Sequence, residues 1–321
     1  MLRPLRSVFS PEDYPNLLVG LDSADDAAVW KLDETRALVF TTDFFTPVVD
    51  DPYDYGAIAA ANSLSDVYAM GGAPFLALNI AAFPPDLPVE ISMEIMRGAA
   101  EKAREAGVVI AGGHTIQDKE PKFGLAVLGI LESTALLTKG ALRPGDHLFL
   151  TKPLGFGVTT TAHKRGLVSE AELAEVVGWM KKLNKAAGEL AGGCELSAAT
   201  DITGFGLLGH LSEMTEASGC GAQLRMSAVP LISCALKYAR AYTFPGGASD
   251  NRLFVEHLVS FADEIPEEER MLLFDPQTSG GLLIAVPSEK LEIFQQSAKQ
   301  SGTPVWEIGS AEAGTGIRVL G

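Results

Sequence analysis

Cysteine is scarce in this chain: three residues among 321, Cys194, Cys220 and Cys234, with no Cys-x-x-Cys spacing. That excludes a disulfide framework and leaves buried free thiols as the expectation. Positive charge is short as well, since 25 Lys and Arg face 41 Asp and Glu, a net charge of −16 at pH 7. A nucleic-acid surface needs clustered Lys and Arg to neutralise phosphates, so no nucleic-acid partner is expected. A small polyanion stays admissible only if cations escort it. Long apolar runs are missing too. The longest uncharged run, residues 67–85, is interrupted by Gly71, Gly72, Pro74, Pro84 and Pro85 and cannot be one spanning helix. Arg3 and Arg6 precede no apolar core of signal-peptide length. No membrane partner and a cytoplasmic location are therefore expected. There is no Gly-x-x-x-x-Gly-Lys-Ser/Thr motif and no Gly-x-Gly-x-x-Gly opening a helix after a strand. If a nucleotide binds, it binds by neither of those devices.

What is present is acid, in short groups far apart. The run Asp201-Ile-Thr-Gly-Phe-Gly-Leu-Leu-Gly-His210 sets a carboxylate before a glycine-rich turn that opens a helix. Backbone N–H groups at such a start approach anions closely, whereas a carboxylate there repels one unless a divalent cation lies between. An aspartate N-cap with packing glycines is the plainer alternative. Asp25-Asp26-Ala-Ala-Val, Thr41-Thr42-Asp43-Phe44-Phe45 and Asn62-Ser-Leu-Ser-Asp66 add carboxylates of the same kind. Mg²⁺ takes oxygen ligands, usually one or two carboxylates with waters and substrate phosphates, so a multi-metal nucleotide site needs such a set.

Residues 36–42 read as a strand whose end delivers Asp43 into a loop. Residues 54–70 read as a helix capped by Asp54 and stopped at Gly71-Gly72, with Asn62 and Asp66 on one face, either a site or a solvated surface. A second helix is expected over 90–106, then a short strand at 108–111 emptying into Gly112-Gly113-His114, and an apolar strand over 122–131. Arg143-Pro-Gly-Asp146 marks a boundary between domains 1–143 and 144–321. Beyond it come a strand at 147–151, a helix near 156–165 and one long amphipathic helix carrying Leu173 through Leu190. A loop is expected at 243–251, and Asp275-Pro-Gln-Thr-Ser-Gly-Gly281 runs into a strand at 282–286. Strands and helices alternate through both halves, so the class is α/β or α+β.

The Asp275–Gly281 run, taken with Asp201–His210, resembles selenophosphate synthetase (selenide, water dikinase). Asp25-Asp26-Ala-Ala-Val, Thr41-Thr-Asp-Phe-Phe and Ala111-Gly-Gly-His match in the same order. The acidic motifs alone fit the wider superfamily of aminoimidazole ribotide synthetase, thiamine-phosphate kinase and a hydrogenase maturation factor. The resemblance implies a two-domain, PurM-like fold with an N-terminal domain that dimerises through its sheet, hence a homodimer. It implies a reaction in which ATP, selenide and water give selenophosphate, AMP and phosphate, with Mg²⁺ as cofactor. Asp26, Asp66 and Asp201 are implied as metal ligands. Ser23, Ala24, Asp25, Asp43, Asn62, Asp66, Gly112, Gly113, His114 and Thr278 are implied along the nucleotide.

One departure accompanies the match. The family carries a catalytic Cys or selenocysteine in a glycine-rich N-terminal loop, with an essential Lys three residues on. By register this chain begins after that Lys, so the loop is expected to be absent and no catalytic residue is assigned. A start read downstream of a selenocysteine codon, or a truncated or diverged relative, fits that register. Two other readings stay open: a non-catalytic nucleotide-binding regulator of a full-length partner, and another superfamily kinase such as thiamine-phosphate kinase.

Overall fold

The computed structural model describes Leu5, Val8, Phe9, residues 11–132 and residues 135–321. Met1, Arg3 and Arg6 lie outside the described residues. The first sheet is built from β1 (Leu17–Val19), β2 (Ala28–Lys31), β3 (Arg36–Phe45), β4 (Ala73–Phe83), β5 (Val109–Gln117) and β6 (Lys122–Glu132), in the order β1-β2-β3-β6-β4-β5. The second contains β7 (His147–Leu150), β8 (Ala198–Asp201), β9 (Gly221–Arg225), β10 (Val259–Phe261), β11 (Leu282–Val286), β12 (Trp306–Glu312) and β13 (Gly316–Leu320), in the order β10-β13-β9-β12-β7-β11-β8. Both sheets are mixed, with helices packed against them.

Period-two burial sets the first sheet's polarity. In β3, Ala37, Val39 and Thr41 are buried, while Phe40 and Phe44 are about half exposed. The inward side packs on the helices Pro52–Ala69 and Val89–Ala106. These cross closely because Gly56 and Gly98 each lie against the other helix's backbone, where a Cβ would have no room. The Pro52–Ala69 helix also meets the second half: Ile58, Leu64 and Tyr68 share one core with Phe156, Val176, Met180 and Tyr238. Hence Asn62, Ser63 and Ser65 are all buried, and the solvated-face alternative for this helix fails.

Several boundaries differ from expectation, each for a physical reason. Asp43 lies within β3, not in a loop, because Phe44 and Phe45 continue the pairing with Gly124 and Phe123. The helix cap is Asp51, whose side chain accepts from the Asp54 N–H at 2.8 Å, with Pro52 at the first helical position. Gly112-Gly113-His114 does not follow a strand. It lies within β5, where a bulge opposite Leu78 puts Gly112 at φ +150° and leaves Gly113 pressed on Asn79. The long amphipathic helix is two, Glu170–Lys181 and Lys185–Gly193, because Lys182 is extended and Asn184 turns in to donate to Ser65 Oγ and Gly280 O, both at 2.8 Å. The expected loop at 243–251 holds a helix, Gly246–Val255, pinned where Asn251 donates to Gly204 O and Phe274 O.

Candidate active site at the meeting of the two sheets

Asp201 ends β8 and is 1% exposed, with Phe205, not Asp201, at the N-cap of the Gly206–Ser218 helix. The N-cap alternative for this aspartate therefore fails. Its carboxylate instead faces the first sheet. Asp26 meets it from the loop before β2, Asp66 from the Pro52–Ala69 helix and Asp43 from β3, so four carboxylates from both halves converge.

Most members of the group have one oxygen held. Asp26 Oδ1 accepts from Lys139 Nζ at 2.8 Å and from Thr200 Oγ1 at 2.9 Å. Asp66 Oδ2 accepts from Thr41 Oγ1 at 2.5 Å. Asp43 Oδ2 accepts from the Asn62 amide, whose own oxygen accepts from the Ser279 N–H at 2.8 Å. In contrast, Asp26 Oδ2 and Asp201 Oδ2 are buried with no protein partner. Leaving a buried polar atom unpaired costs about 1–3 kcal/mol, more for a charge.

The electrostatics follow. Burial pushes the Asp26 carboxyl up to about 6, the Lys139 ammonium opposing and Asp201 adding. Burial first, then Asp201 and Asp26, pushes Asp66 well above the ordinary carboxylate range. Asp43 rises through burial and Asp201. These carboxylates repel one another in a low-dielectric place, and a cation among them removes the conflict. Among the described residues, no three His, Cys, Asp or Glu side chains stand close enough to hold an ion by themselves. The atoms open to a cation are the two orphaned oxygens, Asp26 Oδ2 and Asp201 Oδ2, and Mg²⁺ takes one or two carboxylates and completes its shell with water and phosphate.

Beside the group opens a cavity of about 1170 Å³ lined by Ser23, Ala24, Asp25, Asp26, Lys139 and His210, with Trp30, Phe40, Phe205 and Phe254 supplying aromatic surface. Its size and mixed lining suit a nucleotide-sized ligand. Of the residues singled out in sequence, Ser23, Ala24, Asp25 and Asp26 line this cavity. Asp43, Asn62, Asp66 and Asp201 do not, and Asp66 and Asp201 reach it only through their interaction with Asp26. Thr278 is half-buried beside Ser279. Gly112, Gly113 and His114 are not brought to the group: their strand is the sheet's open edge, three strands from Asp43.

The Asp275–Gly281 run proves to be scaffold around Ser279. Asp275 Oδ2 accepts from the Val158 N–H at 3.0 Å, and Gln277 Oε1 accepts from the Gly155 and Phe156 N–H groups at 3.1 and 3.0 Å. Together they satisfy the start of the Phe156–Lys164 helix. Ser279, at φ +54°, offers its N–H to Asn62 and its carbonyl to Lys152 Nζ at 2.7 Å. Lys152 is fully buried, and burial lowers its amine to about 7 while Asp201 opposes the shift.

Sequence reasoning passed over Lys139, Glu213, Thr200 and Thr41. Lys139 Nζ bonds Asp26, Glu213 Oε2 at 2.7 Å and Ala24 O at 2.8 Å; His210 Nδ1 lies 3.2 Å from the same Glu213 oxygen. The one local signal was the i,i+3 spacing of His210 and Glu213. Lys139 lies in a linker without a motif.

Known proteins resemble this chain in sequence and in fold. The family model "AIR synthase related protein, N-terminal domain" matches residues 24–131, and "AIR synthase related protein, C-terminal domain" matches residues 143–321. The selenide, water dikinase of Carboxydothermus hydrogenoformans is 50% identical over 295 residues, 92% of this chain and 86% of that protein. That of Myxococcus xanthus is 46% identical over 310 residues, 96% of this chain and 88% of that protein. Among solved structures, the hydrogenase maturation protein HypE in complex with ATP matches over 97% of this chain and 86% of its own, with a TM-score of 0.67 and 20% identity, a likeness of fold. With both domain models matched and half its residues shared with a named relative, the chain belongs to the selenide, water dikinase family of AIR synthase-related enzymes.

Proposed function

We propose that residues 1–321 form the Mg-ATP-binding body of an enzyme that makes selenophosphate, AMP and phosphate from ATP, selenide and water. The observation that carries this reading is the pair of orphaned buried oxygens, Asp26 Oδ2 and Asp201 Oδ2, supplied by opposite halves of the chain. Asp26, Asp66 and Asp201 would hold divalent cations. When bound, such cations neutralise the polyphosphate and stabilise charge during phosphoryl transfer. The protein's own part is placement. Asn62 fixes Asp43 and ties it to Ser279, and Ser23, Ala24 and Asp25 form the cavity wall along which the nucleotide lies. Thr278 and the Gly112–His114 run complete the proposed nucleotide contacts. The latter sits outside the carboxylate group, as an exposed edge whose glycines leave backbone open to an anion.

Titration calorimetry with a non-hydrolysable ATP analogue tests the reading. Saturable binding in Mg²⁺ and a loss on the order of a hundredfold or more in EDTA are expected, about 2.8 kcal/mol at 1.4 per decade. Equal affinity with and without metal would sink it.

The nucleophile is a separate matter. None of the three cysteines lines the cavity, and all are buried. Burial pushes the Cys220 and Cys234 thiols up, away from the reactive thiolate. The body so described binds nucleotide and does not capture selenide.

The proposal includes a homodimer. β6 is paired on both edges, by β3 and β4, while β2 covers the other edge of β3 only over Ala37–Phe40. What they offer is an outward face carrying Trp30, Phe40, Phe44 and Leu78, all 40–52% exposed. A contiguous apolar face of this kind marks an interaction surface. Trp30 and Phe40 also line the cavity, so a second copy docked there would wall the nucleotide site. Sedimentation at micromolar concentration should give a dimer, and a Phe40→Glu chain should run as a monomer. A wild-type monomer counts against this surface.

A further inference from the structure

We propose that Lys139 is a positioning residue that sets the metal preference of this site. By occupying Oδ1 of Asp26 it leaves that ligand one oxygen to offer, which admits Mg²⁺ and disfavours Ca²⁺. The inference rests on the Mg-nucleotide reading above and concerns which cation the cradle takes.

Lys139 is only 4% exposed and is fixed at every polar point. Its backbone N–H donates to Asp25 Oδ1 at 2.7 Å and its carbonyl accepts from Ser218 Oγ at 3.1 Å. The ammonium has three hydrogens and three acceptors: Asp26 Oδ1 at 2.8 Å, Glu213 Oε2 at 2.7 Å and Ala24 O at 2.8 Å. It is therefore saturated and has nothing left to give a phosphate. Its position is that of a built-in counter-ion behind Asp26, opposite the orphaned Oδ2.

The same device recurs around the group. Thr41 takes one oxygen of Asp66 and Asn62 takes one oxygen of Asp43. Each of these carboxylates is thus turned to present a single oxygen. Ca²⁺ takes six to eight oxygens and commonly a bidentate carboxylate, whereas Mg²⁺ demands a compact octahedron of single oxygens and keeps several waters. A cradle in which Asp26, Asp43 and Asp66 are each held by one oxygen is suited to the second. Without the ammonium, Asp26 Oδ1 keeps only the Thr200 hydroxyl at 2.9 Å, a neutral donor that a Ca²⁺ ion competes with far more easily.

The test uses the whole chain, the non-hydrolysable ATP analogue as probe, and calorimetry in Mg²⁺ and in Ca²⁺. Groups that hold a metal ligand from behind change metal affinity by about 10–100-fold. The wild type should bind the analogue more tightly in Mg²⁺. Lys139→Met should narrow the Mg²⁺-to-Ca²⁺ affinity ratio by about tenfold, and Lys139→Arg, which keeps the charge and a donor, should restore part of it. A ratio unchanged in Lys139→Met, with both affinities lowered equally, would overturn the proposal and leave Lys139 a plain counter-charge. Circular dichroism checks the fold. If Lys139→Met fails to fold, Thr41→Val frees Asp66 in the same way, and an unchanged ratio there overturns the proposal equally. Binding in the wild type that is indifferent to any metal would overturn the nucleotide reading itself, and this inference with it.

Discussion

Replacing Asp201 with alanine should abolish Mg-dependent nucleotide binding while leaving the fold as stable as before or more so. The two halves of that result have one cause. Asp201 is buried, one of its oxygens has no partner, and it raises the pKa of Asp26, Asp43 and Asp66 by repulsion. In the metal-free chain it is a source of conflict, and its removal relieves three neighbours. Lys152, whose charge Asp201 supports, keeps its bond to Ser279 O. With metal and nucleotide bound, the same carboxylate would, on the proposed function, be a ligand. Truncating one partner of a buried charge pair costs about 2–5 kcal/mol in binding, so a loss on the order of a hundredfold or more is expected. A melting temperature that holds or rises, beside a lost calorimetric signal, is the signature. A chain that melts earlier and binds as well as wild type would make Asp201 structural.

Residues 1–321 alone, given ATP, Mg²⁺ and selenide, should yield no selenophosphate and no selenide-dependent AMP. Among the described residues no thiol lines the cavity, and its Lys139 is saturated by three acceptors. Cys234 Sγ lies 3.6 Å from Thr159 Oγ1 inside the shared core. Phosphorus NMR after prolonged incubation reads the outcome. A selenophosphate resonance would mean that a residue dismissed here, foremost one of the three cysteines, performs the capture.

How much of this was legible in the sequence depended on distance along the chain. The acidic motifs could be read because a carboxylate beside a glycine turn is a local pattern with a charge problem built in. Asp201 was found that way; Asp25, Asp26, Asp43 and Asp66 stood out as further short acidic groups, and their roles came from the family resemblance. The helix Val89–Ala106 and the strands β6 and β11 were legible from periodicity. Asp43's place inside β3 was not, because the pairing that extends the strand lies some eighty residues away on β6. The break at Lys182–Asn184 was hidden because apolar spacing continues across it, while Asn184 answers to Ser65, 119 residues back. Lys139 was invisible for the same reason: its partners, Ala24 and Glu213, are 115 and 74 residues away. The Asp275–Gly281 run was recognised as a family mark, yet its physical task, capping one helix and holding Asn62 and Lys152, needed the fold.

The most direct measurement is anomalous diffraction from crystals of this chain grown with Mn²⁺ and a non-hydrolysable ATP analogue, since Mn²⁺ shares the oxygen-rich octahedral preference of Mg²⁺. The predicted result is a peak within bonding distance of Asp26 Oδ2 and Asp201 Oδ2, bridging to the analogue's phosphates. A metal-nucleotide complex bound elsewhere, with those two oxygens still unpartnered, would contradict the account.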